Sequence, residues 1–282
     1  MSDRIGPNAL VVEGGAMRGV FSCGVLDHFM NEEFSPFDSF WGVSAGASNL
    51  AAFLAKMPGR NLKIYLDYSL RKEFFSLGKF VSGGDLMDLD WMWNITLKEL
   101  GIDKKVLQAD ERPFFLGVTR QDTGEAEYLT PDVDALVETM KASSALPIMY
   151  RHGVKLGEHT YVDGGVRDAI PVAEAIRRGA TKIMVLRSRP ANYRKSKPAF
   201  TGLTKRLLKA YPALIEPMLT RHTRYNDTLA LIENPPEGVE IIQICPPESF
   251  KLKRLSRDPA TLEAAYHLGV KAGEQAIRSW EN

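Results

Sequence analysis

The chain has 282 residues, of which 44% are hydrophobic and 25% charged, enough apolar side chains to fill the core of one large domain. Its formal net charge of +1 lacks the basic excess expected of a nucleic-acid-binding protein, and no nucleic acid is expected as a partner. Its two cysteines, Cys23 and Cys245, permit one disulfide but no disulfide framework, as suits a reducing compartment. Met1 to Asn8 lacks the long apolar run of a secretory leader. No stretch approaches the roughly 20 apolar residues of a membrane helix. The expectation is a cytoplasmic protein with at most peripheral membrane contact.

In chain order, Ala9–Glu13 is a short apolar run that ends in glycines and reads as a buried strand. Gly14–Gly19 is a turn, and Val20–Met30 follows with helical spacing. Phe37–Val43 predicts a second strand, and Ala45–Met57 a second helix rich in helix formers. Strand, turn and helix thus occur twice within the first 60 residues, which argues for a parallel sheet covered by helices. Further strands are expected at Phe114–Thr119, Ala126–Leu129, Thr160–Val162, Lys182–Leu186 and Val239–Ile244. Helices are expected at Val133–Lys141, Val172–Arg178 and Thr261–Trp280. The one shift in composition is Arg187–Ile215, with eight basic residues and no acidic one. Strand and helix signals resume after it, so it is read as a basic insertion within one domain.

Three glycine-rich segments carry candidate chemistry. In Gly42-Val43-Ser44-Ala45-Gly46 a serine stands between a strand and a helix, as in a nucleophile elbow. Small flanking residues let the chain double back, and the helix start lies near a developing oxyanion. A plain glycine-rich turn before a helix is the alternative. Gly14-Gly15-Ala16-Met17-Arg18-Gly19 also follows a strand and opens a helix. It reads as a structural turn, or as an oxyanion loop with the Gly15 and Ala16 amides aimed at the same point as Ser44. A dinucleotide-binding loop fits poorly, because Ala16 stands where the second glycine of that fingerprint belongs. Asp163-Gly164-Gly165 ends a short strand and reads equally well as a turn or as a catalytic carboxylate.

Taken together and in this order, these segments resemble the patatin-like phospholipases. Lys141-Ala-Ser-Ser-Ala-Leu-Pro147 is similar to a fourth block of that family. The resemblance covers roughly residues 9–175 and is strongest to the family's bacterial, stand-alone branch. It implies a three-layer α/β/α sandwich with a mostly parallel central sheet and a helical C-terminal extension near 250–280. It also implies a Ser44–Asp163 dyad in place of a Ser–His–Asp triad and an oxyanion hole over Gly14–Gly19; the sequence has no cluster of His, Cys or carboxylates at metal-ligand spacing, and no metal or cofactor is expected. The chain departs from the family pattern at Ala16, where many members carry glycine, and at Glu13, where aspartate is common. His28, His152, His159, His222 and His267 are available for a triad. Ser44 comes too early for the several strands that precede the elbow of an α/β-hydrolase.

Two segments stay open. Leu203, Leu207, Tyr211, Leu214 and Met218 recur at helical spacing among Lys205, Arg206 and Lys209, within a basic segment spanning 187–220. They predict a basic amphipathic helix kinked at Pro212, read as a solvated surface helix rather than an anionic-membrane contact. Asp88–Trp93 is rich in Trp and Met and reads as core packing rather than the lining of an acyl pocket. The expected function is hydrolysis of lipid carboxylic esters through an acyl-enzyme. The alternatives are another esterase, thioesterase or acyltransferase with the same dyad, and a lipid-binding protein without activity.

Overall fold

The computed structural model describes residues 5–281; positions 1–4 of the leader reading lie outside the described residues. The elements are β1 (Asn8–Val12), α1 (Val20–Asn31), β2 (Ser39–Val43), α2 (Ala45–Leu54), α3 (Arg60–Lys63), α4 (Leu77–Val81), α5 (Leu89–Glu99) and α6 (Lys104–Ala109). Next come β3 (Phe114–Arg120), β4 (Ala126–Leu129), α7 (Leu136–Ser144), β5 (Val154–Leu156), β6 (His159–Asp163), α8 (Val172–Arg177) and β7 (Lys182–Leu186). The chain closes with α9 (Thr201–Leu207), α10 (Ile215–Glu233), β8 (Glu240–Ile244) and α11 (Pro259–Glu281).

The strands form one sheet in the order β5-β6-β3-β2-β1-β7-β8, with β4 also paired to β3. From β3 through β8 along this path the neighbours are parallel. On the other side, β6 runs antiparallel to β3, and β4 and β5 are antiparallel to their partners. The sheet is therefore mixed with mostly parallel strands.

β1 shows why it is a central strand. Leu10 and Val12 face a core shared with Leu26 of α1, Phe53 of α2 and Leu262 of α11. Ala9 and Val11 face the opposite core, with Val172 of α8 and Leu229 of α10. Side chains alternate across a strand, so an unbroken apolar run requires helices on both faces. That requirement is met here by three layers.

The C-terminal helix is part of the main core. Gly24 of α1 and Gly269 of α11 touch backbone to backbone, and a Cβ on either would strike the Tyr266 or Phe21 carbonyl. Trp280 then packs edge-on against Phe37, with ring centroids 5.0 Å apart.

Two expectations change. The helix predicted through Leu203–Met218 is broken: α9 stops at Leu207, Pro212–Leu214 forms a 3₁₀ turn, and α10 starts at Ile215. Proline has no N–H and disfavours helical backbone before it, so Tyr211 is extended at φ −131°, ψ 65°. Nor is the basic segment a uniform surface, since Arg187, directly after β7, is buried. Residues 60–109 hold four α-helices and a π-helical turn at Ile64–Tyr68 that the sequence pattern did not resolve, and β5 was also unforeseen. Cys23 and Cys245 are both free thiols. Among the described residues no helix is long and apolar enough to cross a membrane.

Candidate active site

Ser44 directly follows β2 and caps α2, with φ 55° and ψ −124°. A β-carbon-bearing residue rarely adopts positive φ, so this is stored backbone strain. The neighbours make the turn sterically feasible. A Cβ on Gly42 would come 2.6 Å from the Ala47 Cα, and one on Gly46 would strike the Val12 carbonyl. The strained residue is also held by a relay: its amide donates to Ser143 Oγ at 2.8 Å, and that hydroxyl donates to the Gly117 carbonyl at 2.7 Å. Ser143 lies in the Lys141–Pro147 block, whose physical role could not be read from its spacing.

Asp163 reaches the same place through strand register. Val43 pairs with Gly117, and the next residue of β3, Val118, pairs with Asp163. One strand therefore separates the end of β2 from the end of β6. The Asp163 amide donates to the Ala145 carbonyl at 2.9 Å, so the 141–147 block holds both residues. The carboxylate accepts the Gly165 amide at 2.8 Å and is 3% exposed. Burial raises its pKa above the usual aspartate value; Arg221, the Ser44 hydroxyl, Arg254 and the Gly165 amide oppose the rise without cancelling it. A Cβ on Gly165 would lie 2.9 Å from Arg221 Nη2 and 3.0 Å from Asp163 Oδ1. This glycine thus makes room for a guanidinium rather than only for a turn.

The glycine loop is anchored at its base by Glu13. Its carboxylate accepts the Ser188 amide at 2.6 Å and the Tyr225 hydroxyl at 2.8 Å, and pairs with Arg187 at 3.4 Å. Burial would raise the Glu13 pKa, but Arg187 and the Ser188 amide, with help from Arg18 and Tyr225, hold it below the usual value. The six loop residues do not serve alike. The Met17 amide donates to the Arg254 carbonyl at 3.3 Å, and the Arg18 amide to the Gly15 carbonyl at 3.2 Å. Gly19 packs under Tyr65, and its carbonyl accepts Asn49 Nδ2 at 2.8 Å. The Gly15 and Ala16 amides have no protein acceptor among the described residues. Ala16 itself is held at φ 50°. Arg18 is 3% exposed and anchors the loop, its Nε donating to the Ser188 carbonyl at 3.2 Å.

Two cavities meet at Ser44. One, of about 220 Å³, is lined by Phe74, Phe75, Met87, Leu89, Met92 and Trp93. The Asp88–Trp93 run thus does more than fill the core, although Leu89 and Met92 are buried. The other, of about 280 Å³, holds Asp163 and the basic side chains of Arg18, Arg189, Lys195, Arg221 and Arg254. Ala16, Ser44, Leu146 and Arg254 line both. Burial lowers the Arg18 and Arg221 pKa values to about 10. Burial, with repulsion from Arg221 and Arg254, lowers that of Lys195 to about 6. No histidine lines either cavity, and His222 Nδ1 instead lies 3.1 Å from the Leu219 carbonyl. No metal-binding cluster occurs among the described residues.

Sequence reasoning missed Arg221, Tyr225 and Arg254 altogether. A lone arginine on a helix or loop carries no local motif, so only the fold reveals its target.

Known proteins resemble this chain along nearly its whole length. A family model described as patatin-like phospholipase matches residues 10–176. A domain of unknown function (DUF6363) matches residues 211–282. The uncharacterized protein YjjU of Escherichia coli K12 is 38% identical over 270 residues, covering 94% of this chain and 75% of that protein. The crystal structure of VipD from Legionella pneumophila aligns with 96% of this chain and 67% of its own, at a TM-score of 0.48 and 14% identity. The match over residues 10–176 takes in both Ser44 and Asp163, and the chain belongs to the patatin-like phospholipase family.

Proposed function

We propose that this protein hydrolyses a carboxylic ester of a lipid, with Ser44 as nucleophile and Asp163 as its base. The observation that carries the reading is the position of Ser44, at the junction of an apolar cavity and a polar one that contains a buried carboxylate. Segment 211–282 lines the same cavities through Arg221, Tyr225 and Arg254, which supports one working unit over the whole chain.

The steps are those of acyl transfer. Asp163 accepts the Ser44 hydroxyl proton while Oγ bonds to the ester carbonyl carbon. The carbonyl oxygen gains negative charge, and the free amides of Gly15 and Ala16 are the donors assigned to it. Collapse breaks the carbon–oxygen bond to the alcohol, which leaves with the proton from Asp163. Water then gives a proton to Asp163, attacks the acyl carbon and frees the acid, and the proton returns to Ser44. A raised aspartate pKa suits this role, because it brings the base closer to the operating pH.

The test is active-site labelling. A fluorophosphonate probe is expected to modify the parent protein and to leave Ser44→Ala unmodified. Persistent labelling of a folded Ser44→Ala protein removes Ser44 as the nucleophile.

The apolar cavity makes a second expectation. Met92→Trp adds bulk to the proposed acyl site. Activity on long-chain p-nitrophenyl esters is expected to fall about tenfold relative to short-chain ones, the scale of one or two misfitted methylenes. An unchanged chain-length profile assigns the acyl chain elsewhere.

A further inference from the structure

The large apolar side chains left in water are not scattered. Among the described residues, Leu77, Val81, Phe200, Leu203, Leu207 and Leu255 are 43–85% exposed, and they fall on three segments. Single exposed apolar residues are ordinary on a protein surface, but a cluster marks a place for a partner. The basic helix expected at 203–218 sharpens the point. As a solvated surface helix it should have turned Leu203 and Leu207 inward. In α9 both are exposed beside Lys205 and Arg206, and it is Leu208, just past the helix end, that reaches the core.

The three segments lie together around the mouth of the apolar cavity. Leu255 belongs to the mouth, for it lines the cavity and is also exposed. Arg257, two residues on, lies 5.8 Å from the ring of Phe75, which lines the same cavity. Phe75 leads into α4, which carries Leu77 and Val81. α4 is tied in turn to Arg151, which donates to the Phe80 carbonyl at 3.1 Å and stacks 4.9 Å over the Phe80 ring. Three residues back, Ile148 packs against the cluster that holds Leu208 at the end of α9. Three residues span at most about 11 Å, so the two short helices are neighbours.

The charge beside these apolar tips has one sign. Lys205, Arg206 and Lys209 are exposed on and after α9, and Lys251, Lys253 and Arg257 are exposed around Leu255. No acidic residue occurs in 195–209 or 251–257. Apolar tips among basic residues match an anionic lipid surface, whose acyl region takes the first and whose headgroups take the second. A second copy of the chain would set these basic segments against each other. The phosphate backbone of a nucleic acid gives exposed Leu and Val side chains nothing to bury against. We propose that the three segments form one docking face for an anionic bilayer, beside the mouth of the apolar cavity. An acyl chain drawn from that bilayer enters the cavity without crossing water. The face goes beyond the hydrolase reading and does not depend on Ser44 as nucleophile.

The experiment is co-sedimentation of the whole chain with vesicles, in a Ser44→Ala background so that cleavage does not alter the lipid. Vesicles of phosphatidylglycerol mixed with phosphatidylcholine are expected to bind at least about tenfold more tightly than phosphatidylcholine alone. Val81→Asp, and Leu203→Ser combined with Leu207→Ser, are each expected to weaken that binding at least about tenfold. Leu268→Ser, at an exposed leucine on α11 outside the three segments, is expected to leave it unchanged. All these side chains are exposed, so the fold tolerates the changes. With Ser44 restored, Val81→Asp is expected to slow cleavage of vesicle lipid at least about tenfold and to spare a soluble short-chain ester.

The outcomes separate the docking face from the hydrolase reading. Equal binding to both kinds of vesicle overturns the anionic assignment. Binding that survives Val81→Asp and the paired serine variant, or that falls as far in Leu268→Ser, overturns the face. A dimer that the paired serine variant dissociates, with no vesicle binding, gives the face to a second copy and overturns the bilayer. Docking with the expected losses, but no ester cleaved, supports the face and overturns only the hydrolase. Ser44-dependent cleavage of soluble esters without vesicle binding does the reverse.

Discussion

Asp163→Asn is expected to lower kcat/KM for ester hydrolysis about 100- to 10,000-fold while the protein stays folded, the range for loss of a general base. Asparagine keeps an oxygen to accept the Gly165 amide, so the local turn survives. What disappears is the ability to take the Ser44 proton. Stability should move the other way. The Asp163 pKa is raised in the folded state, chiefly by burial, so its ionised form is disfavoured there. A group of this kind contributes stability that is full below the unfolded pKa and is lost as pH rises through the folded one. As pH rises through the folded value the parent loses that contribution, and the neutral amide avoids the loss. The melting temperature of Asp163→Asn at pH 7 is expected to equal or exceed that of the parent. The pH profile adds a third reading. In the parent, kcat/KM should fall on the acid side with an apparent pKa above the ordinary aspartate value of about 3.9. That limb should vanish in Asp163→Asn. Residual activity close to the parent's, with the limb intact, would move the base to another group.

Glu13→Ala is expected to be the most destabilising change near the site. Arg187 and Glu13 are 1% and 3% exposed at their side chains, so neither has recourse to water. Removing one partner strands the guanidinium, the Ser188 amide and the Tyr225 hydroxyl together. Breaking a buried pair in this way costs about 3–5 kcal/mol. For a chain of this size, that lowers the melting temperature on the order of 10 °C. The pH dependence has a definite sign. The Glu13 pKa is depressed in the fold, so its contribution is present above the unfolded value and lost as pH falls through the folded one. The gap in melting temperature between the parent and Glu13→Gln should be full near neutrality and close in acid. Glu13→Gln with Arg187→Met should recover part of the loss, since it removes the stranded charge. A cost below about 1 kcal/mol for Glu13→Ala would show that the pair contributes little.

The glutamate matters because of where it stands. It directly follows β1, and Arg187 directly follows β7, two strands in parallel register with Val12 opposite Leu186. The pair therefore clamps the glycine loop to the neighbouring strand end. From the sequence alone Glu13 was a mild departure from a family pattern. Its partners lie 174 and 212 residues away along the chain, beyond the reach of local spacing.

The early strands and helices were legible because each buries its pattern in a simple way. β1 and β7 are continuous apolar runs, since both of their faces are covered. α2 begins directly after Ser44, which stands two residues from Gly42 and two from Gly46, a local steric demand that leaves a local trace. Residues 60–109 were not legible. Their short helices turn apolar side chains toward a cavity as much as toward the core, which blurs the helical period. The basic amphipathic helix expected across Leu203–Met218 with a kink at Pro212 is instead two helices joined through a 3₁₀ turn. Apolar spacing continued through Pro212, but the backbone could not follow it.

The opening parallel strands and the tight turn at Ser44 were legible in the sequence, because tight turns and buried strands constrain the residues that form them, while Asp163 became a candidate through the family resemblance. Only the tertiary structure decided that β6 runs antiparallel, which sets Asp163 one strand away from Ser44. It also decided that basic side chains from distant segments meet beside the serine. The physical reason is the same in each case. Register, hydrogen-bond partners and converging charge are properties of pairs of segments far apart in the chain, and no single segment records them.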